Sequence, residues 1–147
     1  MKNTTHKNIR KILSIVLCLC LVMSYVPFMS LTALGADGVA YINENGDSTT
    51  YTGAYTEVTG ELTTWSNGWY VVKGDVTVAK RITVSGTVNL ILADGAQLTA
   101  NEGICVNQGN TFIVYAQSED KATMGKITST GIDYNAGIGG NKGNDNG

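Results

Sequence analysis

Cysteine and histidine are scarce in this chain, and most of them lie close to its N-terminus. The cysteines are Cys18, Cys20 and Cys105, and the one histidine is His6. Because Cys18 and Cys20 fall within an apolar N-terminal run, Cys105 alone remains for the rest of the chain, which excludes an internal disulfide framework. With no histidine nearby in sequence to activate its thiol, we interpret Cys105 as a small, half-exposed surface residue and not as a nucleophile.

Basic residues are also few outside the N-terminal region. Four of the ten basic residues precede residue 12, whereas all twelve acidic residues follow it. Residues 36–147 therefore carry six basic and twelve acidic side chains, a net charge of −6. Binding of a phosphate backbone requires a basic stripe, so this composition argues against nucleic acid as a partner.

Residues 1–35 are typical of a secretory signal peptide. Basic residues precede an apolar run at residues 12–29, and small residues follow at positions 33–36. We predict cleavage after Gly35, because cleavage after Ala36 would put the larger Leu34 where a small side chain is preferred. An uncleaved membrane anchor of this length is the alternative, but polar residues and Pro27 within the run argue against it. We therefore expect a secreted protein with no membrane contact after cleavage.

One apolar pattern occurs twice in the middle of the chain, at residues 76–92 and again at residues 98–114, as a 22-residue repeat. Within each period the apolar residues fall on every second position, which predicts strands, and glycines at positions 86, 95, 103 and 109 predict corners. Short strands, glycine corners and a fixed longer period are typical of a coil of parallel strands. The repeated pairs are Val76/Leu98, Val78/Ala100, Ile82/Ile104, Val84/Val106, Leu90/Phe112 and Leu92/Val114.

The pattern predicts an all-β fold, a right-handed parallel β-helix (solenoid) with an N-terminal β cap. Handedness follows from the general rule for parallel crossovers. We assign residues 36–68 to the cap, as two or three short strands and a hairpin turn at residues 65–69, and residues 69–147 to the first turns with a Gly/Asn-rich C-terminal loop. Since the last turn has no apolar cap, we expect the chain to be the N-terminal portion of a longer protein.

One strand of each turn is apolar on both faces. Extending the repeat backward aligns Trp69 with Ile91 and Ile113, and Tyr70 with Leu92 and Val114. Parallel strands buried on both sides show this pattern. We predict that Tyr70, Leu92 and Val114 face inward and that an outer strip is formed by Trp69, Val71, Ile91, Ile113 and Tyr115.

The outer strip has two interpretations. In the first, which we favour, the aromatic residues of the cap segment pack over it. In the second, it receives a sugar ring or a partner protein, and the binding residues are then Trp69, Ile91, Ile113 and Tyr115.

Charged residues on the predicted turns do not form an obvious catalytic set. Asp94 and Glu102 each precede a glycine in a predicted turn, and no acid, Asp75 included, repeats in register, so we interpret them as corner residues. Arg81 sits at a corner, where we expect solvation and no contact with a substrate. Residues 117–124 are polar and predict a loop projecting from the coil.

The C-terminal glycine-rich segment partly matches the calcium-binding motif Gly-Gly-x-Gly-x-Asp, with Asp145 as the candidate ligand. The match has one residue too many between its glycines and occurs once, whereas such a site needs stacked copies. We favour a flexible loop over a calcium site and predict no other cofactor.

Three Gly-rich blocks occur in order along residues 65–140. They read Trp-Tyr-Val-Val-Lys-Gly-Asp-Val-Thr-Val at 69–78, Arg-Ile-Thr-Val-Ser-Gly-Thr-Val-Asn-Leu-Ile-Leu-Ala-Asp-Gly at 81–95, and Ala-Gly-Ile-Gly-Gly at 136–140. In these blocks the chain resembles the Gly-rich parallel β-helix repeat region of large secreted and cell-wall proteins of gut Firmicutes. The matching residues are structural, and that family has no assigned catalytic set to transfer.

The resemblance implies a role at the cell surface. We expect a non-catalytic, adhesin-like or carbohydrate-binding segment, associated with the cell wall in the longer protein, whose partners are glycans or host or bacterial surface proteins. One alternative is the N-terminal part of a polysaccharide lyase or glycosidase whose catalytic turns lie beyond residue 147. The other is an inert structural spacer.

Overall fold

The computed structural model describes residues 38–143, which are all-β and contain no α-helix. The predicted signal peptide at residues 1–35 and the candidate calcium ligand Asp145 lie outside these residues. Within the described range there is no helix with the length and apolarity needed to cross a bilayer. The strands are β1 Val39–Ile42, β2 Ser48–Tyr51, β3 Tyr55–Glu57, β4 Thr64–Trp65, β5 Gly68–Val72, β6 Asp75–Val78, β7 Ile82–Val84, β8 Thr87–Leu92, β9 Gln97–Ala100, β10 Ile104–Val106, β11 Thr111–Ala116, β12 Lys126–Ser129 and β13 Ile138–Gly139.

Most of the strands belong to three parallel sheets. Sheet I has the order β11-β8-β5-β3, sheet II β12-β9-β6 and sheet III β13-β10-β7-β4. From β5 onward the chain visits sheets I, II and III in turn, so each strand pairs with the strand three places before or after it. We call a set of three consecutive strands, one from each of the three sheets, a rung. The last rung consists of β11, β12 and β13.

Strands β1 and β2 form a separate antiparallel hairpin. Its turn lies between Ile42 and Ser48, where Asn43 Oδ1 accepts hydrogen bonds from the main-chain N–H groups of Asn45 and Asp47, both at 2.9 Å. Gly46 adopts a φ of 84°, which side chains disfavour. This segment therefore turns back on itself by local side-chain hydrogen bonding.

Parallel pairing begins earlier than Trp69, because β3 and β4 already belong to sheets I and III. The hairpin predicted at residues 65–69 is wrong. Trp65 pairs with Val84 in sheet III, and Trp69 pairs with Tyr55 in sheet I. The Asn-Gly turn between them is thus a corner between two sheets and not a link between paired strands.

The 22-residue repeat is confirmed in sheets II and III. Val76 lies opposite Leu98 and Ile82 lies opposite Ile104, so the paired residues are one full period apart. Within sheet II, threonine also follows threonine in the outward column Thr77–Thr99–Thr128. Stacked β-branched side chains suit a pleated ladder.

In sheet I the predicted alignment is wrong by two positions. The sequence separation between Tyr70 and its partner Leu90 is shorter than one 22-residue period. The separation between Leu90 and its partner Val114 is longer than one period. The predicted alignments that do not occur are Leu90/Phe112, Leu92/Val114, Trp69/Ile91/Ile113 and Tyr70/Leu92/Val114. The observed outward columns are Trp69–Asn89–Ile113 and Val71–Ile91–Tyr115.

Unequal corners explain this difference. Residues 85–86 join β7 to β8, whereas residues 107–110 join β10 to β11. Likewise residues 73–74 join β5 to β6, and residues 93–96 join β8 to β9. A shift of two positions leaves the inward–outward alternation of a strand unchanged, so the sequence pattern does not reveal it.

The main core is a cluster of buried side chains contributed by all three sheets. Trp65 fills the first part of it with no exposed surface, and its Nε1 donates to the Leu62 carbonyl at 3.0 Å. Tyr70 Oη accepts from the Ser66 N–H at 2.8 Å, so this inward-facing hydroxyl is also satisfied. The other fully buried aliphatic members are Val72, Val78, Ile82, Val88, Leu90, Leu98, Ala100 and Ile104.

Candidate functional site

The outer strip is largely covered by the β1–β2 hairpin. A second hydrophobic cluster forms there, in which Val71 and Ile91 are fully buried beneath Tyr41 and Tyr51 of the hairpin. This confirms the interpretation that the cap segment packs over this face. It also confirms that Val71 and Ile91 face away from the main core.

Four rings on this face form an aromatic cluster, defined by Tyr41, Tyr51, Trp69 and Tyr115. The Trp69 ring stacks on Tyr51 with centroids 4.3 Å apart and on Tyr115 at 5.4 Å, with interplanar angles of 20° and 17°. Tyr41 meets Trp69 at 5.2 Å in a tilted geometry and Tyr115 at 5.0 Å edge-on. Such arrangements suit the quadrupoles of aromatic rings and contribute beyond the area they bury.

The four predicted binding residues do not form one continuous open surface. Trp69 and Tyr115 are half-buried within the aromatic cluster, and Ile113 is 36% exposed. Ile91 is fully buried and offers no area to a ligand. A ligand on this face can therefore reach Trp69, Ile113 and Tyr115, and binding there stays a prediction.

A cleft of about 220 Å³ opens beside Trp69 and is lined by residues 54–56 and 67–70. Its lining includes the aromatic residues Tyr55 and Trp69 and the uncharged polar residues Thr56 and Asn67. The cleft lies where the chain passes from the hairpin into β3 and where β4 turns into β5. Sequence reasoning missed it, because its two sides are joined only by the parallel pairing of β3 with β5.

Asparagine side chains hold the corners next to this cleft. Asn67 Oδ1 accepts from the Thr87 N–H at 2.6 Å, and Asn110 Oδ1 accepts from the Gly86 N–H at 2.7 Å. Both amides thus clamp the corner between β7 and β8, one from the preceding rung and one from the following rung. Asn67 is thereby fixed at the rim of the cleft.

A small charged group, Lys73 with Glu57, contacts Tyr55, which lines the cleft. Lys73 Nζ lies 3.0 Å from Tyr55 Oη and 3.3 Å from Glu57 Oε2. The hydrogen bond with Tyr55 raises the pKa of Lys73, and Glu57 adds to this against the opposing effect of burial. The Lys73 and Glu57 side chains are about half exposed, so the pair contributes little to stability.

The carboxylate of Asp94 has a structural partner. The Ser118 hydroxyl donates to Asp94 Oδ1 at 2.9 Å, and the Asp94 N–H donates to Gln117 Oε1 at 2.9 Å. Residues 117–124 form the predicted loop, which is tied to the Asp94 corner by these contacts. Within residues 38–143 no three side chains among Asp, Glu, His and Cys gather into a group that could hold a metal ion.

The interpretation of Arg81 as a solvated corner residue is wrong. Its guanidinium donates to Asn141 Oδ1 at 2.7 Å and to the carbonyls of Glu102 at 2.7 Å, Ala136 at 3.1 Å and Gly139 at 3.4 Å. Acceptors far apart in sequence thus converge on one cation. Sequence periodicity gave no signal for this, because three of the four acceptors are main-chain carbonyls.

Cys105 is buried, 2% exposed, and not half-exposed as predicted. On one side Cys105 pairs with Thr83 of β7, and on the other side it pairs with Gly139 of β13, the next strand of sheet III. Its Sγ lies 3.4 Å from Asn107 Oδ1. The C-terminal strand, which the 22-residue repeat did not locate, accounts for this burial.

Among known proteins, no family model, no curated protein and no solved structure matches the chain.

Proposed function

We propose that residues 55–143 form the first turns of a right-handed parallel β-helix within a secreted cell-surface protein. The support is the order of the strands, since from β5 onward the chain returns to the same sheet at every third strand and always in parallel. Parallel pairing of this kind needs right-handed connections in nearly all known cases. Export rests on the signal-peptide pattern of residues 1–35.

The function we propose for this segment is non-catalytic binding of a glycan at the cleft beside Trp69. One observation carries this proposal: a cleft of about 220 Å³ has the aromatic residues Tyr55 and Trp69 and the uncharged polar residues Thr56 and Asn67 in its lining. A sugar ring offers an apolar face to an aromatic side chain and hydroxyls to amides and hydroxyls. Within the described residues the acids Asp94 and Glu102 are engaged at corners, which favours binding over cleavage.

The test is a glycan microarray probed with labelled residues 36–147. We expect retention on a limited set of glycans and at least a tenfold loss of affinity for Thr56→Ala, because Thr56 is one of the polar residues that line the cleft. The matched control is Thr99→Ala, because Thr99 is also a half-buried threonine in a parallel sheet but lies on sheet II. Equal loss in both variants would reject the cleft as the binding site.

Two further outcomes separate the alternatives. If the protein shortens a bound polysaccharide, as seen by release of new reducing or unsaturated ends, the lyase or glycosidase interpretation replaces ours. If no glycan is retained and no surface protein is captured, the segment acts as a structural spacer.

A further inference from the structure

Two Asn-Gly pairs lie in the described residues, at positions 45–46 and 67–68. Asparagine followed by glycine is chemically labile, because glycine has no Cβ to keep its main-chain nitrogen away from the asparagine carboxamide. That nitrogen can attack the carboxamide carbon and close a cyclic imide. Asn45 and Asn67 are both exposed, so access to solvent alone does not distinguish the two pairs.

The fold immobilises the carboxamide of Asn67. Its Oδ1 accepts a hydrogen bond from the Thr87 N–H at 2.6 Å. A Cβ built on Gly86 would lie 2.6 Å from Asn67 Cγ, so the carboxamide packs directly against the main chain of Gly86. Gly68 begins β5 and is paired with Val88 of β8. The two reacting groups are therefore fixed by separate contacts, and they meet only when this corner opens.

Asn45 lies in the turn between β1 and β2 and has fewer restraints. Within residues 38–143 its side chain makes no hydrogen bond, and its main-chain N–H donates to Asn43 Oδ1. A Cβ built on Gly46 would have no atom within 4 Å, so there is open space around the pair. The Gly46 N–H donates to the Asn43 carbonyl at 3.0 Å. Opening this one bond, in the exposed turn of a two-stranded hairpin, frees the attacking nitrogen.

We propose that Asn45 is a site of spontaneous covalent modification and that the fold protects Asn67 from the same reaction. The Gly46 nitrogen loses its proton to the solvent and forms a bond to Asn45 Cγ. The bond from Cγ to Nδ2 breaks, and ammonia leaves. Water then opens the imide at one of its two carbonyls. Opening at Cγ gives aspartate, whereas opening at the main-chain carbonyl gives isoaspartate, and water is the one co-reactant.

Both products weaken the turn. Each adds a carboxylate at position 45, next to Glu44 and close to Asp47, and like charges repel. Isoaspartate also lengthens the main chain by one carbon. This shifts two N–H groups that donate to Asn43, that of Gly46 to its carbonyl and that of Asp47 to its Oδ1. The turn then loses the local hydrogen bonds that define it.

The same turn holds the cover of the outer strip in place. Tyr41 and Tyr51 lie on β1 and β2, the two strands that the turn joins, and they pack over Val71 and Ile91. Strands β1 and β2 pair with each other in a sheet of their own, so the hairpin is held to sheet I by side-chain packing. Modification of the turn should therefore loosen the cover and expose apolar surface as the protein ages.

The test uses residues 36–147, which lie within the compact unit Thr32–Gly147, incubated in mildly alkaline buffer. Peptide mapping by chromatography and mass spectrometry follows each asparagine separately. We expect Asn45 to convert at least about tenfold faster than Asn67, because the contacts of Asn67 must open first. In urea the two should convert at similar rates, since the same dipeptide reacts in both places once the fold is lost.

The matched variant is Asn45→Gln, whose longer side chain would need a larger and less favourable ring. It should show no conversion at position 45 and an unchanged rate at Asn67. Aged wild-type protein should bind more hydrophobic dye than aged Asn45→Gln, in proportion to the converted fraction. Circular dichroism verifies that the variant is folded, and Asn45→Ser, which has no carboxamide, replaces it if it is not.

Three results overturn the proposal. They are equal rates at the two asparagines of the folded protein, faster conversion at Asn67, and an Asn45 that converts in urea but not in the folded protein. Equal dye binding by the aged wild type and the aged variant would show that the modification does not reach the cover, and would reject that consequence.

Discussion

Arg81 and Glu102 hold each other through two separate hydrogen bonds. The main-chain N–H of Arg81 donates to Glu102 Oε2 at 3.1 Å, and Arg81 Nη1 donates to the Glu102 carbonyl at 2.7 Å. The two corners of sheet III that begin β7 and β10 are thereby joined across adjacent rungs. The rest of the guanidinium reaches residues 136–141, so this one side chain links three successive rungs.

Removing this side chain should loosen the C-terminal strand. We expect Arg81→Ala to lower the free energy of unfolding by about 1–3 kcal/mol, since it leaves several carbonyls without a charged donor. Amide exchange should accelerate at residues 136–141. Lys80→Ala is the control, because Lys80 is an adjacent exposed cation. Arg81→Lys should not restore stability, as an ammonium cannot match the planar fork of donors; equal stability of all three variants would contradict this role.

Gly103 is constrained by its neighbours as well as by its backbone. Its φ is 85°, and a Cβ there would lie 2.8 Å from the Gly137 carbonyl oxygen and 2.9 Å from that of Ala136. Gly46 has nearly the same φ, 84°, but open space around it. Urea denaturation should show a loss of about 1 kcal/mol for Gly46→Ala, from the backbone alone. Gly103→Ala should lose at least about 1 kcal/mol more; similar losses would show that the close approach is relieved at no cost.

The aromatic cluster should anchor the hairpin. Tyr51→Ala removes the ring stacked on Trp69, and we expect a loss of about 1–3 kcal/mol in unfolding free energy. Binding of a hydrophobic dye should increase, because Val71 and Ile91 lose their cover. Ser48→Ala, an exposed position on the same strand, should change neither quantity. No dye binding in Tyr51→Ala would mean that the hairpin is held by other contacts.

Tyr115 should be a late-titrating tyrosine of the folded protein. Burial raises its pKa above the ordinary value of 10.0, and Glu44 and Tyr41 add to the effect. Because the folded state favours the neutral phenol, this contribution to stability is complete below pH 10 and is lost as the pH rises through the folded-state pKa. In an absorbance titration of tyrosinate, Tyr115→Phe should remove a component that titrates above the ordinary pKa of 10.0.

The control for that titration is Tyr134→Phe, whose ring is 89% exposed. This substitution should leave the component assigned to Tyr115 in place. If Tyr115→Phe instead removes an early component, the ring is more accessible to hydroxide than its packing indicates.

The face of the sheet on which each side chain lies was predictable, because successive side chains of a strand alternate strictly between its two faces. Tyr70 and Val71 were placed inward and outward from parity alone, and they enter separate clusters. The residue pairs within sheet I were not predictable. Corners of unequal length shift each pair by two positions, and such a shift leaves the inward–outward alternation of the side chains unchanged. Contacts made by main-chain groups, such as the carbonyls around Arg81, leave no trace in side-chain patterns. The burial of Cys105 likewise depends on a strand displaced by long connections.

The sequence separation between paired strands grows along the chain. Tyr55 pairs with Trp69, whereas Ile104 pairs with the much more distant Ile138, so the loop to be closed more than doubles in length. The entropy of closing the later loop is greater by about 0.8 kcal/mol. Rungs at the N-terminal end can therefore close first and serve as templates for those that follow. The order of folding then matches the order in which a chain emerges during synthesis.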